Sequence, residues 1–166
     1  MSSSKSLIII PCFNEAKRLP IEEYTSFFEN KDNSGISFLF IDDGSSDNTL
    51  EILHTFKHNY STVEVLSLNK NQGKAEAIRN GILQVNEVDF DYVGYFDADL
   101  ATPLNEIYRL LEQAKNEPKP YLIMGSRVKL MGSTDIQRKL SRHYIGRIFA
   151  TIVSNMLKLP IYDTQC

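Results

Sequence analysis

The chain has 166 residues, 42% of them hydrophobic and 23% charged, with a formal net charge of -3, which fits one soluble globular domain with a full core. No apolar run reaches the ~18 residues of a membrane span, and the Ser-rich start passes directly into a strand-like segment, so no signal peptide is expected before the fold. Cys12 and Cys166 have no metal-type spacing and no second pair, which suits a reduced, cytosolic setting.

Leu7–Ile10 is expected as a strand ending at Pro11, and Ile21–Phe28 as a short amphipathic helix after Pro20. Ile36–Ile41 reads as a second strand and runs into Asp42-Asp43-Gly44-Ser45-Ser46-Asp47-Asn48-Thr49. Gly44 permits a tight turn there, and Ser46 or Asp47 can cap a helix over roughly Asn48–His58, with Leu50, Leu53 and Phe56 at turn spacing. Capping leaves Asp42 and Asp43 unexplained. Asp43 is therefore a candidate acceptor for a base N–H at the rim of the sheet.

Val63–Leu68 alternates as a third strand, and Gly73–Val85 reads as a helix with Ala75, Ile78, Ile82 and Val85 on one face. Tyr92–Phe96 is expected as a buried fourth strand, followed by Asp97-Ala98-Asp99. A helix over Pro103–Lys115 with proline in its first turn, a fifth strand over Tyr121–Met124 and a last helix over Gln137–Lys158 complete the series. Regular alternation of strand and helix predicts an α/β fold, three-layered, with a mainly parallel sheet.

Asp97-Ala98-Asp99 is the most informative segment. Carboxylates emerging where a buried strand ends lie at the sheet rim, where open α/β folds bind ligands. Two so close repel unless a cation or hydrogen-bond donors hold them, and hard divalent ions favour oxygen ligands. A solvated turn explains the triplet alone equally well. Charge is also uneven along the chain. Ile136–Tyr162 holds no acid but five bases, Arg138, Lys139, Arg142, Arg147 and Lys158, and so carries +5, leaving -8 for the rest. A basic segment on an acidic body suits an anionic partner, or is a solvated helix face. The same helix turns apolar nearly all round from Ile148 to Leu157, which suits burial or a lipid surface.

With both acidic pairs placed, Ile8–Glu15, Ile41–Thr49, Asn71–Ala77 and Phe96–Asp99 resemble, in order, motifs of the family 2 inverting glycosyltransferases. Gly125-Ser126-Arg127 and Asp163-Thr164-Gln165-Cys166 look like the subgroup that transfers glucose or mannose from a nucleotide sugar to dolichyl or another polyprenyl phosphate, the ending most like the dolichyl-phosphate glucosyltransferase branch. The resemblance implies a Rossmann-like GT-A fold and a single catalytic domain over residues 1–166, truncated at its C-terminus. It implies a nucleotide-sugar donor, UDP-glucose first and a GDP-sugar second. Pro11, Phe13, Asn14 and Glu15 would lie beside the nucleoside, Ile41 and Asp43 at the base, Lys74 near base or phosphates, and Asp97 and Ala98 at the donor. Asp97 and Asp99 would hold Mg2+ or Mn2+. Arg127 with Arg142, or Arg138 in its place, would take the acceptor phosphate, and Asp163 would orient the acceptor or act as base. Asp99, Asp163 and Arg127 are thus the catalytic candidates. A lipid-phosphate acceptor, a cytoplasmic membrane face and no nucleic-acid partner follow from the same resemblance. A saccharide acceptor, or an inactive nucleotide-sugar-binding module, is the alternative within it.

Rival α/β classes fit less well. An aspartyl-nucleophile phosphatase or a receiver domain places its acids after the first strand, where Pro11-Cys12-Phe13 stands, and a receiver wants a lysine where Arg127 lies. A nucleotidyltransferase should open on a glycine-rich loop with a basic finger, and Pro11–Glu15 supplies neither.

Overall fold

A computed structural model of the chain describes residues 5–33, 35–85, 89–116, 122–123, 125, 149, 151–156 and 158. They belong to two compact units, Met1–Leu104 and Asn105–Cys166. In the first unit, strands β1 (Ser6–Cys12), β2 (Ile36–Asp42), β3 (Val63–Ser67) and β4 (Tyr92–Tyr95) alternate with helices α1 (Ile21–Glu29), α2 (Thr49–Asn59) and α3 (Lys74–Gln84). The strands form one parallel sheet in the order β3-β2-β1-β4.

Side-chain alternation along the strands decides what each face buries. On β2, Phe38 and Phe40 point to the face where Tyr24, Phe27 and Phe28 of α1 and Phe56 of α2 pack edge to face or tilted against them, at centroid separations of 5.1–6.4 Å. Leu7, Ile9 and Ile41 point the other way and form a core with Ala77 of α3, flanked by Leu39, Leu66, Val85 and Phe90. Two connections step outward from β1 and one steps back across it. Right-handed crossovers must then put α1 and α2 on one face and α3 on the other, giving the expected three layers.

The first four expected strands fall on the observed ones, the described residues 122–123 of the expected fifth are not in a strand, and three further details differ. The buried positions of α3 are Ala77 and Gly81, while Ala75 and Ile82 are exposed. Small residues let α3 lie close on the sheet: a Cβ on Gly81 would stand 3.0 Å from Ile9 Cγ2 and 3.2 Å from Ile41 Cδ1. Bulkier residues at helical spacing had suggested a different face. β4 is the edge of the described sheet, with Val93 43% and Tyr95 45% exposed, so its apolar run is not buried on both faces.

The third difference lies in the second unit, where α4 runs over Glu106–Asn116 and buries Ile107 and Ala114. It begins three residues after Pro103, and its first turn is closed by Tyr108 N–H donating to the Asn105 carbonyl at 3.2 Å. Residues 151–156 are also helical, within the expected last helix. Tyr121 and Met124 of the expected fifth strand, together with Arg127, Arg138, Arg142 and Asp163, lie outside the described residues.

Gly44 has φ +70°, and a Cβ there would meet the Lys70 carbonyl carbon at 2.7 Å and the Asn71 nitrogen at 2.8 Å. The β2–α2 and β3–α3 loops can approach only because no side chain intervenes. Gly44→Ala is expected to lower unfolding stability by about 2–4 kcal/mol, from left-handed strain plus overpacking, as read by urea denaturation. An unchanged midpoint would show that the loops do not meet at this glycine.

Candidate functional site

Strand order reverses between β1 and β4, since β1 leads outward to β2 and β3 whereas β4 returns to its other side. The carboxyl ends of strands at such a switch point are the usual ligand position in open α/β sheets. Register carries Phe96-Asp97-Ala98 alongside the end of β1: Ile9 pairs with Tyr95, and Phe96 N–H donates to the Ile9 carbonyl at 3.1 Å. The loop after β1, the acids after β2 and the acids after β4 thus share one rim.

The loops after β1 and β2 are laced together. Asn14 adopts φ +53°, which lets its N–H reach Ser45 Oγ at 3.0 Å while its Oδ1 accepts from Ser46 N–H at 2.8 Å. Glu15 N–H donates to Thr49 Oγ1 at 2.8 Å, and that hydroxyl donates to Asp47 Oδ1 at 2.5 Å. Asp47 also accepts from the N–H groups of Thr49 and Ala16 at 3.0 and 3.2 Å. The Thr49 hydroxyl, then these N–H groups, hold the Asp47 carboxyl below its ordinary value. Asp47, expected as a helix cap, bonds both the first turn of α2 and the neighbouring loop. Ser46 turns to Asn14 instead.

Asp42 and Asp43 also have structural work that sequence reasoning did not assign to them. Asp42 is buried, with one oxygen 3.4 Å from Ser45 N and 3.5 Å from Ser67 Oγ. Asp43, 2% exposed, accepts from Gln72 N–H on Oδ1 and Gly73 N–H on Oδ2, both at 2.8 Å. These bonds pin the loop that opens α3. Gly73 (φ +90°) then turns the chain so that Lys74, the first helical residue, pairs with Asp97 Oδ1 and lies over the Tyr95 ring, 5.5 Å from its centroid.

After β4, Asp97 is half-buried, Ala98 buried and Asp99 exposed. A tight turn holds them: Leu100 takes φ +51° and donates to the Asp97 carbonyl at 3.2 Å, and Asp99 Oδ1 accepts from Ala101 N–H at 3.0 Å. The buried Tyr24 hydroxyl, on α1, donates to the Ala98 carbonyl at 3.2 Å and fixes the turn from below. Burial pushes the Tyr24 hydroxyl's pKa up, with Cys12, Asp99, Asp97 and Glu15 adding to it. Burial likewise raises that of the Cys12 thiol, with help from Glu15 and Asp42, so Cys12 is an inert core residue.

The sequence-predicted residues at this rim are Pro11, Phe13, Asn14, Glu15, Ile41, Asp43, Lys74, Asp97, Ala98 and Asp99. Ile41 is fully buried under α3, whereas Phe13 is 43% exposed at the mouth. Glu15 pairs with Arg18 through Oε1 at 2.5 Å, and its buried Oε2 has no partner among the described residues. Sequence reasoning missed Thr49 and Tyr24 as supports. Thr49 carried a signal, as a polar residue opening a helix beside an acidic loop. Tyr24 carried none, because its partner is a backbone carbonyl 74 residues away.

Among the described residues no group of three His, Cys, Asp or Glu side chains could hold a metal ion. Asp97 and Asp99 offer carboxylate oxygens alone, which fits a hard divalent ion that completes its shell with water and phosphate. No helix among the described residues is long and apolar enough to cross a membrane.

Comparison with known proteins agrees with this frame. The human dolichyl-phosphate beta-glucosyltransferase is 31% identical over 179 residues, covering 99% of this chain and 54% of that protein. The poly-beta-1,6-N-acetyl-D-glucosamine synthase of Staphylococcus aureus (strain COL) is 33% identical over 118 residues, covering 71% of this chain and 27% of that protein. The chain spans about half the length of the curated dolichyl-phosphate relatives it matches. Among solved structures, the mannosyltransferase PcManGT from Pyrobaculum calidifontis, in complex with GDP-Man and Mn2+, superposes with a TM-score of 0.57 at 18% identity. That match covers 69% of this chain and 33% of the other, and it identifies the fold as GT-A. The profile of Glycosyl transferase family 2 matches residues 7–166, and the chain belongs to that family.

Proposed function

We propose that this chain forms the donor-binding part of a glycosyltransferase that moves glucose from UDP-glucose, with inversion, to dolichyl or another polyprenyl phosphate. The observation that carries the reading is the shared rim at the β1/β4 switch point, where Glu15, Asp43, Lys74, Asp97 and Asp99 stand on loops tied to one another. Likeness to dolichyl-phosphate beta-glucosyltransferases supports glucose as the sugar and a polyprenyl phosphate as the acceptor.

The nucleoside lies against Pro11, Phe13 and Asn14, with Glu15 accepting from a ribose hydroxyl. Each Asp43 oxygen keeps a second lone pair, so holding the Gln72–Gly73 loop is compatible with accepting a base N–H. Ile41 packs beneath the base, and Ala98 brings backbone close to the donor. Asp97 and Asp99 would hold Mg2+ or Mn2+, which would neutralise charge building on the departing nucleotide. Lys74 contributes a further positive charge to the diphosphate.

A polyprenyl phosphate is already an anion near neutral pH, so strong base activation is not required. The acceptor needs orientation and compensation of its charge. Arg127 and Arg142, with Arg138 in reserve, suit this because guanidinium groups match phosphate oxygens in paired geometry. Asp163 orients the acceptor or takes a proton. The enzyme works at the cytoplasmic face of a membrane, with the apolar end of the last helix towards the lipid.

The test is to supply UDP-glucose and Mn2+ with either dolichyl phosphate in detergent or an oligosaccharide primer. Glucose extracted with the lipid as a β-linked phosphate diester supports the reading. Transfer to the primer alone would favour a saccharide acceptor, the second reading, which the likeness to the S. aureus synthase supports. In the same assay Arg127→Ala and Arg142→Ala are expected to reduce acceptor use about ten- to a hundredfold, as for a charge-assisted contact of ~1.5–3 kcal/mol. UDP affinity should stay within several-fold. Equal losses in both would move these arginines to the donor site.

A further inference from the structure

Lys74 and Asp97 come from different parts of the fold, and their meeting is built rather than incidental. Asp43 fixes the two backbone N–H groups just before Lys74, and Gly73 supplies the left-handed turn that starts α3 at this lysine. Its ammonium lies over the Tyr95 ring and reaches Asp97 Oδ1. Both side chains are substantially exposed, 53% and 39%, so the pair adds little to stability. Its effect is local: a positive charge rests on one of two carboxylates that stand a residue apart and repel each other.

We propose that Lys74 is a positioning residue that occupies Asp97 in the donor-free protein in place of the divalent cation, and passes to the donor's diphosphate when the cation takes that carboxylate. The inference rests on the reading of Asp97 and Asp99 as cation ligands. A cation alone must displace a tethered ammonium, which then has no partner and remains close to a like charge. A cation arriving with a nucleoside diphosphate releases the ammonium to phosphate oxygens. Cation and nucleotide therefore bind with positive coupling, and by linkage each strengthens the other equally.

The test titrates Mn2+ into the protein, reading free Mn2+ by electron paramagnetic resonance, with and without saturating UDP. Lys74→Met keeps an unbranched stem and removes the charge. It is expected to bind Mn2+ alone about tenfold tighter than the wild type, and to bind UDP in the presence of Mn2+ about tenfold more weakly. Lys74→Arg keeps the charge and should retain weak binding of Mn2+ alone. Mn2+ binding alone that is no tighter in Lys74→Met would overturn the proposal, as would unchanged UDP binding. Asp99→Asn separates the two levels. If the wild type with UDP binds Mn2+ no better than Asp99→Asn does, the cation site itself fails. If Asp99→Asn loses binding but Lys74→Met matches the wild type, only the exchange fails.

Discussion

Asp99→Asn is expected to lower UDP-glucose affinity in Mn2+ by about a hundredfold or more, leaving affinity without metal nearly unchanged. The amide retains an oxygen for the Ala101 N–H, so the turn after β4 and the ligand-free melting point should both survive. Only the charge is lost. That loss halves the negative charge the pair offers the cation, because once Lys74 has passed to the diphosphate Asp97 and Asp99 hold it together. Isothermal titration with and without Mn2+ reads both quantities. Metal-dependent affinity equal to the wild type would remove Asp99 from the cation site.

Asp43→Ala should produce the largest loss of stability among the rim residues. Two backbone N–H groups would lose their acceptor, at about 1–3 kcal/mol for each one left without a partner, partly recovered if water enters. A total of about 2–4 kcal/mol is a large share of the ~5–15 kcal/mol that holds a domain together. Asp43→Asn should cost about half as much, since its amide oxygen still serves one N–H while its NH2 faces the other. Urea unfolding gives the size of the effect, and hydrogen exchange at Gln72 and Gly73 gives its place. Unchanged exchange at those amides in Asp43→Ala would show that the carboxylate does not hold the loop.

The fold was legible where one-dimensional pattern suffices. Apolar runs such as Leu7–Ile10 and Ile36–Ile41, bounded by polar turns, mark strands whether or not their partners are known. The acids at 97 and 99 were legible because they directly follow such a run. The face of α3 was not, since the sequence advertises Ile78 and Ile82 while close packing selects Ala77 and Gly81, where the sheet allows no bulk. Nor was the structural use of Asp43, which depends on two amides about thirty residues downstream. Pattern gives the period of a side chain and not the partner that the fold brings to it. The same gap hid Tyr24 beneath Ala98 and the Thr49–Asp47 brace on Glu15 and Ala16.

The loops that carry Glu15, Asp43, Lys74 and Asp97 lock one another, so the rim is largely formed before any donor binds. Binding then costs little reordering, and ligand affinity should appear directly as added stability. The most direct measurement is a thermal melting series against UDP, GDP, UDP-glucose and GDP-mannose, each with and without Mn2+. The largest rise in midpoint is expected for UDP-glucose with Mn2+, a smaller rise for UDP with Mn2+, and little for any nucleotide without metal. A rise with GDP-mannose equal to or above that with UDP-glucose, or rises that ignore Mn2+, would contradict this expectation.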